Sequence, residues 1–134
     1  RGLTIVTPNE SEAYMLAGLD ESHSIADVGK EILNFIDLSA LLITRGNQGM
    51  SLFLKTGEAF DIPISGTDDV TDVTGAGDTV CAALALSLAS GADYYMASCI
   101  ANYAAGVVVM KRGTATVSQE ELKKAMESYG TDHK

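Results

Sequence analysis

Hydrophobic residues in the first third of the chain form two kinds of pattern. Continuous apolar runs at 3–7 and 40–44 have the length and β-branched content typical of buried strands in a parallel sheet. Between them, a short helix is predicted over 10–19, and a second helix begins after the N-cap candidate Ser24, with its apolar residues on one face. Strand, helix and strand in this order predict a βαβ unit with parallel strands.

The rest of the chain predicts a hairpin followed by helices. The apolar runs at 50–54 and 59–63 are separated by a short turn, which indicates an antiparallel hairpin at a sheet edge. Residues 79–90 are apolar nearly all round, which is typical of a buried helix. Residues 94–110 predict a second helix, whose small residues would allow close packing against its neighbour. A capping box at 118–121 predicts a final amphipathic helix. The pattern as a whole predicts an α/β fold.

Composition narrows the classes of partner. With 134 residues, of which 46% are hydrophobic, the chain has the size and core content of one globular unit over 1–134. Nine basic against eighteen acidic residues give a formal net charge of −9, and a general nucleic-acid binder needs the opposite balance. A nucleotide ligand stays open, because backbone N–H groups can hold phosphate without a basic surface.

The cysteines and the ends of the chain bear on its cellular context. Cys81 and Cys99 lie inside apolar helical runs, so we expect reduced core residues in a cytoplasmic protein. Polar residues interrupt the apolar stretch at 94–110, which falls short of a membrane span, and no membrane partner is expected. Because the chain begins with Arg1 and enters a strand at once, we expect it to be part of a larger protein.

The most informative segment is Gly75-Ala76-Gly77-Asp78-Thr79, at the start of a predicted helix. Two glycines let a ligand approach the backbone, and the first free N–H groups of a helix, together with its dipole, form an anion site. The segment is neither a Walker A loop nor a complete dinucleotide fingerprint. Asp78 has two interpretations: a favourable first-turn acid, which position alone favours, or a general base that takes a proton from a substrate hydroxyl.

Two further polar clusters follow the predicted parallel strands. Asn9 and Glu12 come after the first strand, three positions apart, and are either a helix cap with an acidic first turn or oxygen donors for Mg²⁺. Thr44 to Gly49 follow the second strand, as a glycine turn or as a loop that contacts nucleotide phosphates, to which Arg45 could pair. Since each cluster follows a strand, we expect them at one edge of the sheet.

These segments, in this order, resemble the ribokinase-like (PfkB) family of sugar and nucleoside kinases. The run 72–79 is similar to the family's C-terminal signature, 7–13 to its N-x-x-E motif, and 43–46 with Gly49 to its nucleotide-contacting loop. The resemblance covers nearly all of 1–134. It implies a three-layer α/β/α fold, with a mostly parallel sheet and an antiparallel edge hairpin, of which this chain is the C-terminal, ATP-binding half.

The resemblance also implies roles for individual residues. Asp78 would activate the acceptor hydroxyl, while three backbone N–H groups would stabilise the transferring phosphoryl group, those of Gly75, Ala76 and Gly77. Asn9 and Glu12 would organise Mg²⁺ around the phosphates of ATP. A chain lacking the family's N-terminal sugar-binding part and lid is expected to be a poor kinase on its own.

Other positions would complete the cofactor site. Thr44, Gly46 and Gly49 would line the path of ATP, with Asn102 near the adenine. Many relatives hold a monovalent cation such as K⁺ beside the signature, where this chain has Asp72. The implied partners are ATP and a sugar phosphate, with a homodimer as one assembly of the complete protein.

Within the family, the chain is most similar to bacterial kinases of heptose 7-phosphate, modules often fused to an adenylyltransferase in the ADP-heptose pathway for the lipopolysaccharide core. The likeness rests on 37–45, 48–52, 102–109 and 113–118. It implies formation of heptose 1,7-bisphosphate. The alternatives are another sugar or nucleoside kinase of the family, and a non-catalytic nucleotide-binding module, against which the carboxylate of Asp78 argues.

Overall fold

The computed structural model describes residues 3–64 and 76–110, and positions 119, 120, 123, 124 and 127, which are helical. The chain divides into two compact units, a first unit of Arg1–Pro63 and a second unit of Ile64–Lys134. The interpretation of 1–134 as one C-terminal portion of a kinase domain stays a prediction. The capping box expected at 118–121 lies largely outside the described residues.

The first unit is an α/β arrangement with the order expected from the sequence. It contains β1 (Leu3–Val6), α1 (Glu10–Ala17), α2 (Ile25–Phe35), β2 (Leu38–Thr44), a 3₁₀ turn (Gly46–Gln48), β3 (Met50–Leu54) and β4 (Ala59–Ile62). The predicted cap of α2 is confirmed, because the Ser24 hydroxyl accepts a hydrogen bond from the Asp27 N–H at 3.1 Å. Gly18 ends α1 in the left-handed conformation, at φ 67°.

The four strands form one sheet in the order β1-β2-β3-β4. β1 and β2 are parallel, which confirms the βαβ unit, with Leu3 opposite Leu38 and Val6 opposite Leu41. β3 runs antiparallel to both β2 and β4, which confirms the hairpin. The α/β class is confirmed, and among the described strands parallel pairing is confined to β1 and β2.

The core of the first unit lies between α2 and β2. Val28 and Ile32 are fully buried and belong to one apolar cluster with Leu41 and Ile43 of β2. Gly29 allows this close approach, since a Cβ atom at that position would lie 2.7 Å from the ring of Phe53. The predicted apolar face of α2 is therefore the face that packs on the sheet.

The second unit contains α3 (Ala76–Ala89) and α4 (Tyr94–Met110), which pack against each other. α3 begins three residues before the predicted start at 79, so the glycine-rich segment runs into the helix itself. α4 presents small buried residues, which permit a close approach between helices: Ala97, Ala101 and Ala104. Gly91, at φ 99°, provides the left-handed turn that follows α3.

Several expectations about burial are wrong. α3 is not buried all round: Val80 and Leu84 are buried, whereas Leu86 is 70% exposed. Cys81 is exposed, which corrects its interpretation as a core residue. An apolar composition allows a helix to be buried, but the spacing of its apolar residues determines which side packs against α4. Two methionines are likewise exposed, Met15 at 80% and Met96 at 48%.

Cys99 is buried as expected, and burial raises the pKa of its thiol. The thiolate, which is the reactive form, is therefore disfavoured at this position. Among the helices that the structure describes, none is both long enough and apolar enough to cross a membrane.

Candidate functional site

The loop after β1 becomes the start of α1 through a reciprocal pair of hydrogen bonds. The Asn9 side chain accepts from the Glu12 N–H at 2.8 Å, and the Glu12 carboxylate accepts from the Asn9 N–H at 2.9 Å. This is a capping box, which satisfies two backbone donors at the helix start. The expectation that Asn9 and Glu12 lie at one spot is confirmed, and so is the cap interpretation.

The capping box leaves acceptor capacity at the same spot. A carboxylate has two oxygens with several lone pairs, and the box uses only Oε2 of Glu12. Both Asn9 and Glu12 are exposed. Within the described residues, no three His, Cys, Asp or Glu side chains form a group that could hold a metal ion. An ion such as Mg²⁺ takes one or two carboxylates and completes its shell with water and phosphate oxygens, and a role of Glu12 as such a ligand stays a prediction.

The ends of β1 and β2 meet, as their parallel pairing requires. Asn9 forms an isolated parallel bridge with Thr44, and the Thr44 N–H donates to the Pro8 carbonyl at 3.0 Å. The clusters that follow the two strands therefore share one edge of the sheet of the first unit. This confirms the expected juxtaposition of Asn9 with Thr44.

The loop after β2 is a tight turn with glycines at both ends. Gly46 and Gly49 have φ values of 56° and 84°, in the left-handed region that favours glycine. The Arg45 N–H donates to the Gly49 carbonyl at 2.8 Å and closes the turn. Gly46 is exposed and Gly49 is buried. The glycine turn is confirmed, and contact of Thr44, Gly46 or Gly49 with a nucleotide stays a prediction.

The Arg45 side chain has a protein partner. Its Nε donates to Oε2 of Glu10 at 3.0 Å, and Nη2 donates to Oε1 of Gln48 at 2.8 Å. Sequence reasoning considered Arg45 only as a phosphate ligand and passed over Glu10. The available signal was an acid after β1 and a base after β2, at ends that parallel strands bring to the same edge.

In the second unit, the first turn of α3 carries Gly77 and Asp78, both exposed. The first N–H groups of a helix lack partners within it, so this end can receive hydrogen-bond acceptors. A Cβ atom built on Gly77 would meet nothing within 4 Å, which shows open space beside the turn. Ala76 begins the helix, whereas Gly75 and Asp72 lie outside the described residues.

Asn102 occupies a different environment from the other candidates. It lies in α4 and is only 4% exposed. Its predicted position near an adenine ring is untested and stays a prediction. The first unit thus brings together Asn9, Glu12, Thr44, Gly46 and Gly49, and the second unit carries Ala76, Gly77, Asp78 and Asn102.

Solved structures with the same fold are ribokinases and their relatives. Ribokinase of Arabidopsis thaliana, complexed with ribose and ATP, superposes with a TM-score of 0.81 at 25% identity, over 93% of this chain and 41% of that chain. Phosphofructokinase-2 of Escherichia coli, in complex with potassium, reaches a TM-score of 0.85 at 19% identity, over 96% of this chain and 42% of that chain. The fold is therefore ribokinase-like.

Residues 1–121 match the pfkB family of carbohydrate kinases, and the chain belongs to that family. Among its curated relatives is the bifunctional protein HldE of Geobacter sulfurreducens, 46% identical over 124 residues, which are 91% of this chain and 25% of the relative. HldE of Histophilus somni is 45% identical over 132 residues, 98% of this chain and 28% of the relative. The chain thus spans about a quarter of these proteins.

Proposed function

We propose that the chain supplies the ATP-binding and catalytic portion of a sugar kinase, which transfers a phosphoryl group from MgATP to a sugar hydroxyl. The observation that carries the proposal is the exposed carboxylate of Asp78 in the first turn of α3, beside the open space at Gly77. For phosphate binding alone, an acid at this helix start is unfavourable, because its charge repels the ligand. A base that takes the proton of a hydroxyl attacking phosphorus does need this position.

In this mechanism Asp78 accepts the proton of the acceptor hydroxyl. The oxygen forms its bond to the γ-phosphorus while the bond from phosphorus to the β–γ bridging oxygen breaks, and ADP leaves with that oxygen. The N–H groups of Gly75, Ala76 and Gly77 would stabilise the charge on the transferring group, because donors fixed in place before the reaction need no reorganisation during it.

On the first unit, Glu12 and Asn9 would hold Mg²⁺ and its waters, and the ion would neutralise phosphate charge when bound. Thr44, Gly46 and Gly49 would line the path of ATP, because their turn presents backbone groups at the same sheet edge. Asn102 beside the adenine and Asp72 at a monovalent cation such as K⁺ rest on the family resemblance alone.

For the sugar, we propose heptose 7-phosphate, converted to heptose 1,7-bisphosphate for ADP-heptose. Support comes from the relatives named HldE, at 45% and 46% identity over most of the chain. A homodimer of the complete protein is part of the same proposal. The second candidate is another sugar kinase of the family, favoured by the likeness to a ribokinase solved in complex with ribose and ATP.

The first prediction tests the base. In the complete protein, Asp78→Asn should lower kcat by roughly 10²–10⁴, because the amide cannot accept the proton, while MgATP binding persists. Steady-state kinetics on a panel of sugars and sugar phosphates, with nucleotide titration of the same samples, measure both quantities and identify the substrate.

The matched control is Asp27→Asn, which removes a first-turn acid from α2. It costs the same favourable interaction with a helix dipole but should leave kcat unchanged. If kcat is unchanged in Asp78→Asn, or falls equally in both variants, then Asp78 is only a first-turn acid that stabilises the helix and is not the base. A wild-type protein that phosphorylates ribose but not heptose 7-phosphate would favour the second candidate.

A further inference from the structure

We propose that Glu10 and Arg45 are positioning residues, whose ion pair fixes the turn after β2 against the start of α1. The pair thereby sets the distance between the proposed Mg²⁺ ligands and the proposed nucleotide turn. This inference rests on the proposed function, since it assigns the pair a part in binding MgATP. Glu10 lies within the segment 7–13 and Arg45 within 43–46, but the family resemblance gave neither residue a role at Mg²⁺ or at the transferring phosphoryl group.

The geometry makes Arg45 the connecting residue of this edge. Its side chain bonds Glu10 at 3.0 Å and Gln48 at 2.8 Å, while its backbone N–H bonds the Gly49 carbonyl at 2.8 Å. The two side chains are 23% and 40% exposed, so the pair is screened less than a fully exposed pair would be. One residue thus holds both the shape of the turn and its attachment to α1.

Between the turn and the loop after β1, the side-chain contact adds to a backbone hydrogen bond. The Thr44 N–H to the Pro8 carbonyl attaches the end of β2 to the loop after β1. Beyond that bond the turn has glycines at both ends, and glycine restricts the backbone least. The Glu10–Arg45 contact supplies a second attachment, two residues after Pro8 and one residue after Thr44.

The pair is also connected to the capping box. Glu10 follows Asn9 directly, and Asn9 exchanges hydrogen bonds with Glu12. A shift of the turn relative to Glu10 would therefore change its distance from the proposed Mg²⁺ ligands. Displacements of about 1 Å in a reacting constellation can cost about 100-fold in rate, so a positioning pair has a measurable effect.

The competing interpretation is that Arg45 binds phosphate directly. In the structure its charge is already opposed by Glu10, and two of its donors are engaged. The two interpretations predict opposite results at Glu10. If the pair positions the turn, removing the charge of Glu10 weakens MgATP binding. If Arg45 is a phosphate ligand, removing that charge releases a competitor and leaves binding equal or tighter.

The test uses Glu10→Gln, Arg45→Gln and the double variant in the complete protein. We expect each single variant to raise the Kd for MgATP roughly three- to tenfold. The double variant should bind MgATP no more weakly than the single variants, because the effects of substituting two residues in direct contact do not add. A charge swap, Glu10→Arg with Arg45→Glu, should recover part of the loss. Thermal midpoints are recorded for every variant, and Kd is measured without sugar.

A second ion pair of the same unit provides the control. Lys55 and Asp37 are joined at 2.6 Å, are about two-thirds exposed, and lie at the opposite end of β2 from Thr44. Lys55→Gln and Asp37→Asn should leave the Kd unchanged. Loss of MgATP binding in Arg45→Gln but not in Glu10→Gln, or equal losses in the control variants, would overturn the positioning role.

Failure of the proposed function gives a different result. A wild-type protein that binds MgATP but phosphorylates no sugar would refute the kinase proposal, while the variant series would still decide the pair by its Kd values. A wild-type protein that binds no MgATP would overturn both. A fall in thermal midpoint without a change in Kd would show that the pair stabilises the fold and does not position the turn.

Discussion

At the scale of single residues, the carboxylate of Glu12 has two roles, one in capping α1 and a proposed one in binding Mg²⁺. Its Oε2 holds the start of α1 by accepting from the Asn9 N–H at 2.9 Å. The proposed Mg²⁺ role needs negative charge at the same place. These demands are separable by chemistry, because glutamine satisfies a capping box as glutamate does but carries no charge.

We therefore predict that Glu12→Gln leaves folding nearly unchanged and impairs Mg²⁺ use. The free energy of unfolding should change by less than about 1 kcal/mol, since only the charge near the helix start is lost. The Mg²⁺ concentration for half-maximal kinase rate should rise roughly 10- to 100-fold, the range for weakened metal sites. Urea unfolding and Mg²⁺ titration of the complete protein measure the two effects.

Glu31→Gln, an exposed acid on α2, is the control for charge alone and should alter neither quantity. An unchanged Mg²⁺ requirement in Glu12→Gln would confine Glu12 to its capping role. A large loss of stability together with an unchanged Mg²⁺ requirement would have the same meaning.

At the scale of elements, α2 approaches the sheet at Gly29. A Cβ atom there would lie 2.7–2.8 Å from three ring atoms of Phe53, one of them Cγ, close to the backbone. Phe53 is only 8% exposed, so its ring has little room to move. The glycine thus sets how closely this helix packs, although glycine is a poor helix former.

We predict that Gly29→Ala destabilises the protein despite the better helix propensity of alanine. Overpacking costs about 1–3 kcal/mol, whereas the change in propensity returns about 1 kcal/mol. Asn34→Ala, at an exposed position of the same helix, should not destabilise the protein, because it introduces no steric conflict. Urea unfolding measures the free energy of unfolding of both variants. Stabilisation by Gly29→Ala would contradict the prediction and would mean that the Phe53 ring can move to make room for the added methyl group.

Helices and strands were predictable from the sequence where neighbouring residues along the chain determine them. The caps at Asn9 and Ser24 and the apolar runs of β1 and β2 each fix a boundary or a strand with few neighbours involved. The exposure of Cys81 was not predictable in this way, because it depends on which side of α3 meets α4. The Glu10–Arg45 pair joins residues 35 positions apart, and only the fold selects that partner.

At the scale of the whole molecule, the negative charge of the protein opposes the binding of a negatively charged nucleotide. A formal net charge of −9 repels ATP on average. Under the proposed function, ATP binding would depend on local donors such as the backbone N–H groups at the start of α3, and Mg²⁺ would reduce the charge of the phosphates when bound. The composition argues against a general nucleic-acid ligand, whereas the fold was needed to locate the start of α3.

We accordingly predict that MgATP, and not a polynucleotide, stabilises the complete protein against heat. At 100 times its Kd, a ligand that binds only the folded state adds about 2.7 kcal/mol. Removing Mg²⁺ with EDTA should abolish most of the ATP effect but leave the thermal midpoint of the free protein unchanged. Thermal denaturation with each addition tests this, and equal stabilisation by a polynucleotide would contradict it.

The strand order of the first unit has a consequence for how the chain is made. Each strand pairs with the next strand in the sequence, so the sheet grows only at its edge, from β1 to β4. The longest closure joins the region of Leu3 to that of Leu38, and loop-closure entropy rises slowly with length. By the time Ile62 leaves the ribosome, each of the four strands that the structure describes has its partner available, and their assembly during synthesis requires none of them to insert between two already paired.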